Sequence, residues 1–189
     1  MESLRVFLTG PPRSGKTTVI ERILSSMRGP ASGFHTREIR RKGRRLGFRI
    51  VTLDGKEAVL AHRDTGGPYR VGAYGVDVEN LERVAVPSIV NRPPGEILVI
   101  DEVGKMECLS AKFCRAVRKA LSGPNPILGS VGLKGDGFME EVRKWPGLRL
   151  IHVSAANRNE LPGLISREFQ THLHLHLSIA NDNKKLDIS

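Results

Sequence analysis

The sequence predicts an α/β fold, a three-layer sandwich in which helices cover both faces of a mostly parallel sheet. Short runs rich in Val, Ile and Leu recur along the chain, as expected of strands that are buried on both faces. Segments with the apolar spacing of helices alternate with these runs in the second half. The length of 189 residues, of which 39% are hydrophobic, suits one domain. We therefore expect a single domain over residues 1–180 and a polar tail over residues 181–189.

The first half of the chain begins with a strand, a glycine-rich loop and a helix. These elements are expected at Leu4–Thr9, Gly10–Gly15 and Lys16–Met27. The alternating pattern from Gly33 to Leu60 contains two glycine turns, which predicts a β-hairpin excursion of two or three strands. An irregular loop and a helix near residues 79–89 follow.

The second half of the chain alternates strands with helices, as parallel α/β folds do. The expected strands lie at residues 97–100, 127–131 and 148–153. The expected helices lie at residues 110–121, at residues 137–143 and after Pro162.

The segment Gly10–Thr17 matches the phosphate-binding pattern G-x-x-x-x-G-K-[ST] at every fixed position, between a predicted strand and a predicted helix. Backbone N–H groups and the positive end of the helix can then face phosphate oxygens. Lys16 is expected to contact the β- and γ-phosphates and Thr17 to bind Mg²⁺ through its hydroxyl; a tight turn without a ligand is the alternative. The nucleotide contacts expected here are Gly10, Pro11, Pro12, Arg13, Ser14, Gly15, Lys16 and Thr17.

A second motif is the apolar strand at residues 97–100, which is followed by Asp101 and Glu102. At the carboxyl end of a parallel sheet these acids would face the phosphates, as in a Walker B motif. Asp101 is the candidate Mg²⁺ ligand, through a water, and Glu102, just past the strand, would orient or deprotonate the attacking water. The predicted catalytic residues are thus Lys16, Asp101 and Glu102, and solvated carboxylates are the alternative. Nucleotide contacts are also predicted at Val99, Ile100, Asp101, Glu102, Val103, Gly104, Lys105 and Asn157.

Several further residues have both a catalytic and an ordinary interpretation. Lys105 could reach a developing phosphoryl charge or be a solvated surface residue. An arginine of the basic segment Arg37–Arg45 could act as an arginine finger or lid over the triphosphate, or could keep an exposed hairpin soluble. Ser130 could sense the γ-phosphate and Asn157–Arg158 could touch the base, although ordinary loop polarity explains both.

Composition narrows the partners and the compartment. The chain has 30 Lys and Arg against 20 Asp and Glu, a formal net charge of +10, so it should attract polyanions such as nucleotides, nucleic acid or anionic lipid. No apolar run approaches the roughly 18 residues of a membrane helix, and a secretory signal is not apparent. Cys108 and Cys114 fit neither a zinc pattern nor a disulfide framework. We expect a soluble, cytoplasmic protein without a membrane partner.

Three histidines near the end of the chain, His172, His174 and His176, alternate with leucine. In a strand they would share one side, where they could bind a metal. No acid or cysteine accompanies them, so solvated tail histidines are the preferred interpretation.

The separate motifs together carry a family resemblance. They are VFLTGPPRSGKTT (Val6–Thr18), GFHTREIR (Gly33–Arg40), GFRIVTLDG (Gly47–Gly55), VGAYGV (Val71–Val76), VIDEVGKME (Val99–Glu107) and NRNELP (Asn157–Pro162). From about Val6 to Pro162 the chain resembles the thermophile-type nucleoside-triphosphatase family of P-loop NTPases. The resemblance implies a RecA-like α/β fold, a monomer, and Mg²⁺-dependent hydrolysis of ATP, GTP, CTP and UTP with loose base preference.

The chain departs from the family pattern at a few positions. Arg13 stands where such proteins usually carry glycine, which places a cationic side chain beside the triphosphate path. Ala156 and Asn159 stand where acids are common, which weakens the base contact expected of Asn157.

Two other functions compete with hydrolysis. A nucleotide or polynucleotide kinase shares the phosphate loop and would bind an acceptor near the hairpin. A weakly hydrolysing nucleic-acid-binding module would explain the basic charge. Aromatic residues make up only 5% of the chain and no stacking motif interleaves the basic run, so nucleic acid is not a required partner. A switch GTPase is disfavoured because the guanine-reading N/T-K-x-D motif is missing.

Overall fold

The computed structural model describes residues 3–27, 29–90 and 92–186, with side chains described as far as His174 in the last helix. Within these residues the strands form one nine-stranded sheet of order β5-β6-β4-β3-β2-β7-β8-β1-β9. The strands are β1 (Arg5–Thr9), β2 (Ala31–Arg41), β3 (Arg44–Thr52), β4 (Glu57–His62), β5 (Arg70–Val71), β6 (Tyr74–Val76), β7 (Ile97–Val103), β8 (Ile127–Val131) and β9 (Leu148–His152).

The sheet has a parallel part and an antiparallel part. Parallel pairing joins β2, β7, β8, β1 and β9. Antiparallel pairing adds β3, β4, β6 and β5 beyond β2. The prediction of an α/β fold is confirmed, and the sheet is mixed. The expected hairpin excursion is part of this sheet, because β2 pairs with β7 from Ala31 opposite Ile97 to His35 opposite Asp101.

Helices cover both faces of the sheet and enclose two apolar cores. The helices are α1 (Lys16–Ser26), α2 (Val78–Asn80), a π-helical turn (Leu81–Ala85), α3 (Val86–Ile89), a 3₁₀ turn (Glu107–Leu109), α4 (Ala111–Leu121), α5 (Phe138–Arg143) and α6 (Leu161–Leu186). Phe7 of β1 packs in one core with Phe113 of α4. Its neighbours Val6 and Leu8 pack in the other core with residues of α1 and α6, as the alternation of a strand requires.

One glycine sets the spacing between β2 and β7. Gly33 has a φ of 109°, and a Cβ added there would lie 2.0 Å from the carbonyl oxygen of Val99. That distance is far shorter than any contact between heavy atoms, so the pairing of these strands requires glycine at this position. The same pairing brings His35 beside Asp101.

Two element boundaries differ from the sequence prediction by three residues or more. β7 continues to Val103, so Asp101 and Glu102 lie within the strand, and the prediction that the strand ends at Ile100 is wrong. The apolar pattern ends there because the two acids face a polar site. At the carboxyl terminus α6 continues to Leu186, so residues 181–186 of the expected tail are helical. Residues 187–189 lie outside the described part, and the division into a domain and a tail stays a prediction.

The three histidines 172, 174 and 176 lie in α6 rather than in a strand. Alternate residues of a helix point about 200° apart, so the backbone does not place all three on one side. Among the side chains of residues 3–27, 29–90 and 92–174, no group of three or more His, Cys, Asp or Glu is placed to hold a metal. In the same ranges, no helix is long and apolar enough to cross a bilayer.

Candidate active site

The phosphate-binding segment forms a tight loop between β1 and α1, as the sequence predicts. Gly10 and Gly15 have φ angles of 154° and 102°. A Cβ at Gly10 would lie 2.8 Å from both Ser14 Oγ and the carbonyl oxygen of Val153. The loop therefore needs glycine where the motif requires it, and the first N–H groups of α1 remain available to an anion.

The crest of the loop is formed by Pro11, Pro12 and Arg13, which are exposed. Arg13 has a φ of 66°, in the left-handed region that glycine adopts without strain. This conformation gives a physical reason why glycine suits the position. Arg13 instead places a guanidinium at the edge of the loop, where it is solvated.

Lys16 connects the phosphate loop to the acidic strand. Its Nζ lies 3.4 Å from the carbonyl oxygen of Gly10 and 3.4 Å from Glu102 Oε2, and its side chain is only 9% exposed. Glu102 belongs to β7, which β8 separates from β1 in the sheet. The ion pair therefore joins the two predicted motifs across a strand, which a bare turn and a solvated strand end would not produce.

Asp101 is fully buried, and the alternation of a strand places it on the same sheet face as Val99, which packs in the core with α1 and α6. Ser130, on β8, donates its hydroxyl hydrogen bond to Asp101 Oδ1. Burial raises the pKa of the Asp101 carboxyl, while the Ser130 and Thr17 hydroxyls and the Lys16 charge act in the opposite direction. The predicted metal ligands Thr17 and Asp101 thus lie together, and Ser130 contacts the acid.

Several buried polar atoms around this site have no hydrogen-bond partner within the described residues. They include Asp101 Oδ2, Thr9 Oγ1, Ser14 Oγ and both ring nitrogens of His35. A buried polar atom left without a partner costs about 1–3 kcal/mol. Because these atoms belong to the ends of β1 and β7, the phosphate loop and the adjoining part of β2, a polar ligand bound here would satisfy several of them.

Glu102 and Glu107 are close carboxyl groups behind the ion pair. A Cβ at Gly104 would lie 2.8 Å from Glu107 Oε2 and 3.2 Å from Glu102 Oε1. The Gly104 N–H donates to Glu107 Oε2 at 3.1 Å. Burial and the negative charge of Glu102 raise the pKa of Glu107 to about 8. Burial also raises the pKa of Glu102, and the charge of Lys16 opposes that rise.

Glu107→Gln should therefore be more stable than the wild type at alkaline pH. The pKa of Glu107 is about 8 in the folded chain against 4.5 without perturbation. The stability that its protonated form contributes is therefore complete below pH 4.5 and is lost as the pH rises through 8. Gln keeps an acceptor for the Gly104 N–H but cannot ionise. We expect a gain of about 4 kcal/mol at pH 8 that vanishes near pH 4, measured by urea unfolding. The same pH dependence in both proteins would show that Glu107 ionises normally.

Other predicted nucleotide contacts on β7 are less accessible. Val99, Ile100 and Val103 are fully buried, and their side chains pack in the two cores. Only their backbone can face a ligand. Lys105 is exposed beyond the end of β7, which agrees with the ordinary interpretation of that residue.

Asn157 organises the turn that follows β9. Its Oδ1 accepts the Ser154 N–H at 2.9 Å, and its Nδ2 donates to the carbonyl oxygen of His152 at 2.8 Å. The neighbouring Arg158 extends toward the phosphate loop, since its Cδ lies 3.6 Å from the position of a Cβ at Gly15. The structure thus brings Arg158 to the loop, while the base contact of Asn157 stays a prediction.

Two buried groups at this site, His35 and Glu107, were not predicted. His35 reaches Asp101 only through the parallel pairing of β2 with β7, for which the sequence has no local signal. Glu107 had a weak signal, because it is an acid among the apolar residues Met106, Cys108 and Leu109.

This geometry agrees with comparisons to known proteins. A family model described as NTPase matches residues 5–166. The chain belongs to this NTPase family. The resemblance seen in the motifs is thus confirmed over most of the chain.

Relatives in the NTPase family are similar in sequence along most of their length. Nucleoside-triphosphatase THEP1 of Thermotoga petrophila is 38% identical over 159 residues, which cover 84% of this chain and 88% of that protein. Cancer-related nucleoside-triphosphatase of Homo sapiens is 42% identical over 173 residues, which cover 82% of this chain and 91% of that protein.

Solved structures of NTPase-family proteins share the fold. The crystal structure of THEP1 from the hyperthermophile Aquifex aeolicus matches with a TM-score of 0.77 at 32% identity. The match covers 86% of this chain and 96% of the THEP1 chain. The solution structure of a human cancer-related nucleoside triphosphatase matches with a TM-score of 0.77 at 38% identity. The match covers 89% of this chain and 98% of the human chain.

Proposed function

We propose that this NTPase-family chain hydrolyses nucleoside triphosphates to the diphosphate and phosphate, with Mg²⁺ as cofactor. The observation that carries the proposal is the ion pair between Lys16 of the phosphate loop and Glu102 of β7. It supports a site in which an ammonium faces the phosphates while Asp101 and Glu102 lie opposite. The relatives named nucleoside-triphosphatase agree with this reaction.

Thr17 and Asp101 would hold the Mg²⁺. Asp101 Oδ2 is a buried carboxylate oxygen without a partner among the described residues, and the Thr17 hydroxyl lies nearby. Hydroxyl and carboxylate oxygens are the hard donors that Mg²⁺ prefers, and phosphate and water oxygens usually complete its shell. When bound, Mg²⁺ supplies charge stabilisation to the phosphoryl oxygens.

Glu102 would accept a proton from the attacking water. Because burial raises the pKa of Glu102, its carboxylate is a stronger base than an exposed one. The water oxygen bonds to the γ-phosphorus, its proton moves to Glu102, and the bond from the γ-phosphorus to the bridging oxygen of the diphosphate breaks. Lys16 stabilises the negative charge on the phosphate oxygens during this step.

Loose base preference is part of the proposal. Both polar atoms of Asn157 already bond within the turn, to Ser154 and His152, which leaves only the second Nδ2 hydrogen to meet a base. A site with so few hydrogen-bonding groups for a base edge discriminates weakly between bases.

Phosphate release from ATP, GTP, CTP and UTP, each with Mg²⁺ or with EDTA, tests the proposal. We expect all four rates to agree within about tenfold and to fall to background in EDTA. Release that requires an added phosphate acceptor would identify a kinase and overturn the proposal. Equal rates with Mg²⁺ and with EDTA would contradict the role given to Thr17 and Asp101.

A further inference from the structure

A cavity of about 660 Å³ lies between the phosphate loop and the hairpin of β2 and β3. Its volume falls in the range of small-molecule sites. Five arginines line it together with one tyrosine: Arg13, Arg40, Arg44, Arg45, Arg63 and Tyr74. We call it the arginine cavity. Arg13 belongs to the phosphate loop, so the two sites adjoin each other.

Two of the guanidinium groups are held in place by contacts with neighbouring side chains. Arg45 donates to Tyr74 Oη at 3.0 Å and to Glu38 Oε1 at 2.9 Å, and its guanidinium lies 5.0 Å from the centre of the Phe48 ring. The Arg63 guanidinium lies 5.6 Å from the centre of the Tyr74 ring. A cation held by aromatic rings keeps its full charge for a ligand and loses little side-chain entropy on binding.

The positive charge of the cavity is poorly compensated. Among the described residues, the carboxylate that bonds to arginines of the cavity is Glu38. It accepts hydrogen bonds from Arg40 Nε at 2.6 Å and from Arg45. Five guanidinium groups against one carboxylate leave four positive charges. The hydrogen bond and charge of Arg45, with the charge of Arg63, lower the pKa of the Tyr74 phenol, which is a separate sign of a positive potential.

The arrangement selects phosphate rather than a base. Guanidinium forks bind phosphate oxygens in a bidentate manner. Arg45 and Arg63 lie over the Tyr74 ring, at 5.7 Å and 5.6 Å from its centre, and this residue is only 9% exposed, so little of the ring is open to a stacking base. We propose that the arginine cavity binds a second phosphate-bearing ligand, a compact oligophosphate or phosphomonoester, beside the nucleotide. Its place beside a nucleotide rests on the proposed function, whereas anion binding in the cavity does not.

Inorganic tripolyphosphate is the probe for this site, titrated by calorimetry into chain saturated with Mg²⁺ and a non-hydrolysable ATP analogue. We expect one tripolyphosphate per chain. Arg44→Gln/Arg63→Gln should weaken its binding by about tenfold or more, because two charged contacts are lost. The control Lys112→Gln/Arg115→Gln removes the same charge from α4, and its affinity should stay within about twofold. Arg44→Gln alone, at the exposed first residue of β3, gives a weakened variant if the double variant fails to fold.

The outcomes separate the sources of the phosphate and the alternatives. AMP in place of tripolyphosphate tests whether the ligand is a phosphomonoester. Binding of either probe that is weakened by the Arg44→Gln/Arg63→Gln variant supports the cavity, and the probe that binds more tightly identifies the class of ligand. Equal weakening by both double variants, or no binding by the loaded wild type, overturns it. A single-stranded oligonucleotide that binds more tightly and is weakened equally by both variants also overturns it, in favour of a general basic face. If the ATP analogue itself does not bind, the proposed function fails. Tripolyphosphate titrated into the Lys16→Ala variant without nucleotide then still tests whether the arginine cavity binds phosphate.

Discussion

Glu102→Gln is expected to bind Mg²⁺-nucleotide at least as tightly as the wild type but to lose turnover by about 100- to 1,000-fold. Gln is nearly the same size as Glu and cannot accept the proton of the attacking water. In the free chain Glu102 Oε2 lies 3.4 Å from Lys16 Nζ, where it competes with phosphate for the ammonium. Removing that carboxylate also removes a negative charge from the surroundings of the triphosphate. Binding and catalysis should therefore change in opposite directions.

Two measurements separate these effects. Single-turnover phosphate release gives the rate of the chemical step, and a fluorescent nucleotide analogue gives the affinity. Glu140→Gln is the matched control, because it makes the same change on α5 at a carboxylate that bonds only the exposed Lys144 among the described residues. Full turnover in Glu102→Gln would reject the role of this residue as the base.

The phosphate loop and the acidic strand are readable in the sequence because their signals are local. The glycines of the loop follow from backbone angles that other residues avoid, as Gly10 and Gly15 show. Strands buried on both faces leave continuous apolar runs, so β1 and β7 could be recognised without knowing their neighbours. Asp101 and Glu102 then follow from their place after such a run.

Groups that depend on long-range pairing could not be predicted. β8 lies between β1 and β7, and β2 lies beside β7, although other elements separate these strands along the chain. Such order is set by the packing of the whole sheet rather than by any local pattern. His35 therefore meets Asp101 without a sequence signal. The arginine cavity has the same origin, because Arg13, Arg45 and Arg63 come from separate elements.

Lys16→Ala is expected to weaken Mg²⁺-nucleotide binding by about 100-fold, since charged hydrogen bonds to two phosphates are lost. The loss has a second cause in this structure. Glu102 is 32% exposed and Lys16 is the cation that it pairs with among the described residues, so the substitution leaves that carboxylate uncompensated beside the phosphates. Lys134→Ala, at an exposed lysine, serves as the control.

The double variant Lys16→Ala/Glu102→Gln tests this second cause. If the uncompensated carboxylate repels the triphosphate, the double variant should bind nucleotide several-fold more tightly than Lys16→Ala, although it lacks the same lysine. Affinities of the wild type, both single variants and the double variant form a double-mutant cycle. In that cycle Glu102→Gln gains affinity more strongly without Lys16 than with it, because the lysine no longer neutralises the carboxylate. A cycle in which the two changes simply add would contradict coupling between Lys16 and Glu102, and with it the ion pair on which the site is built.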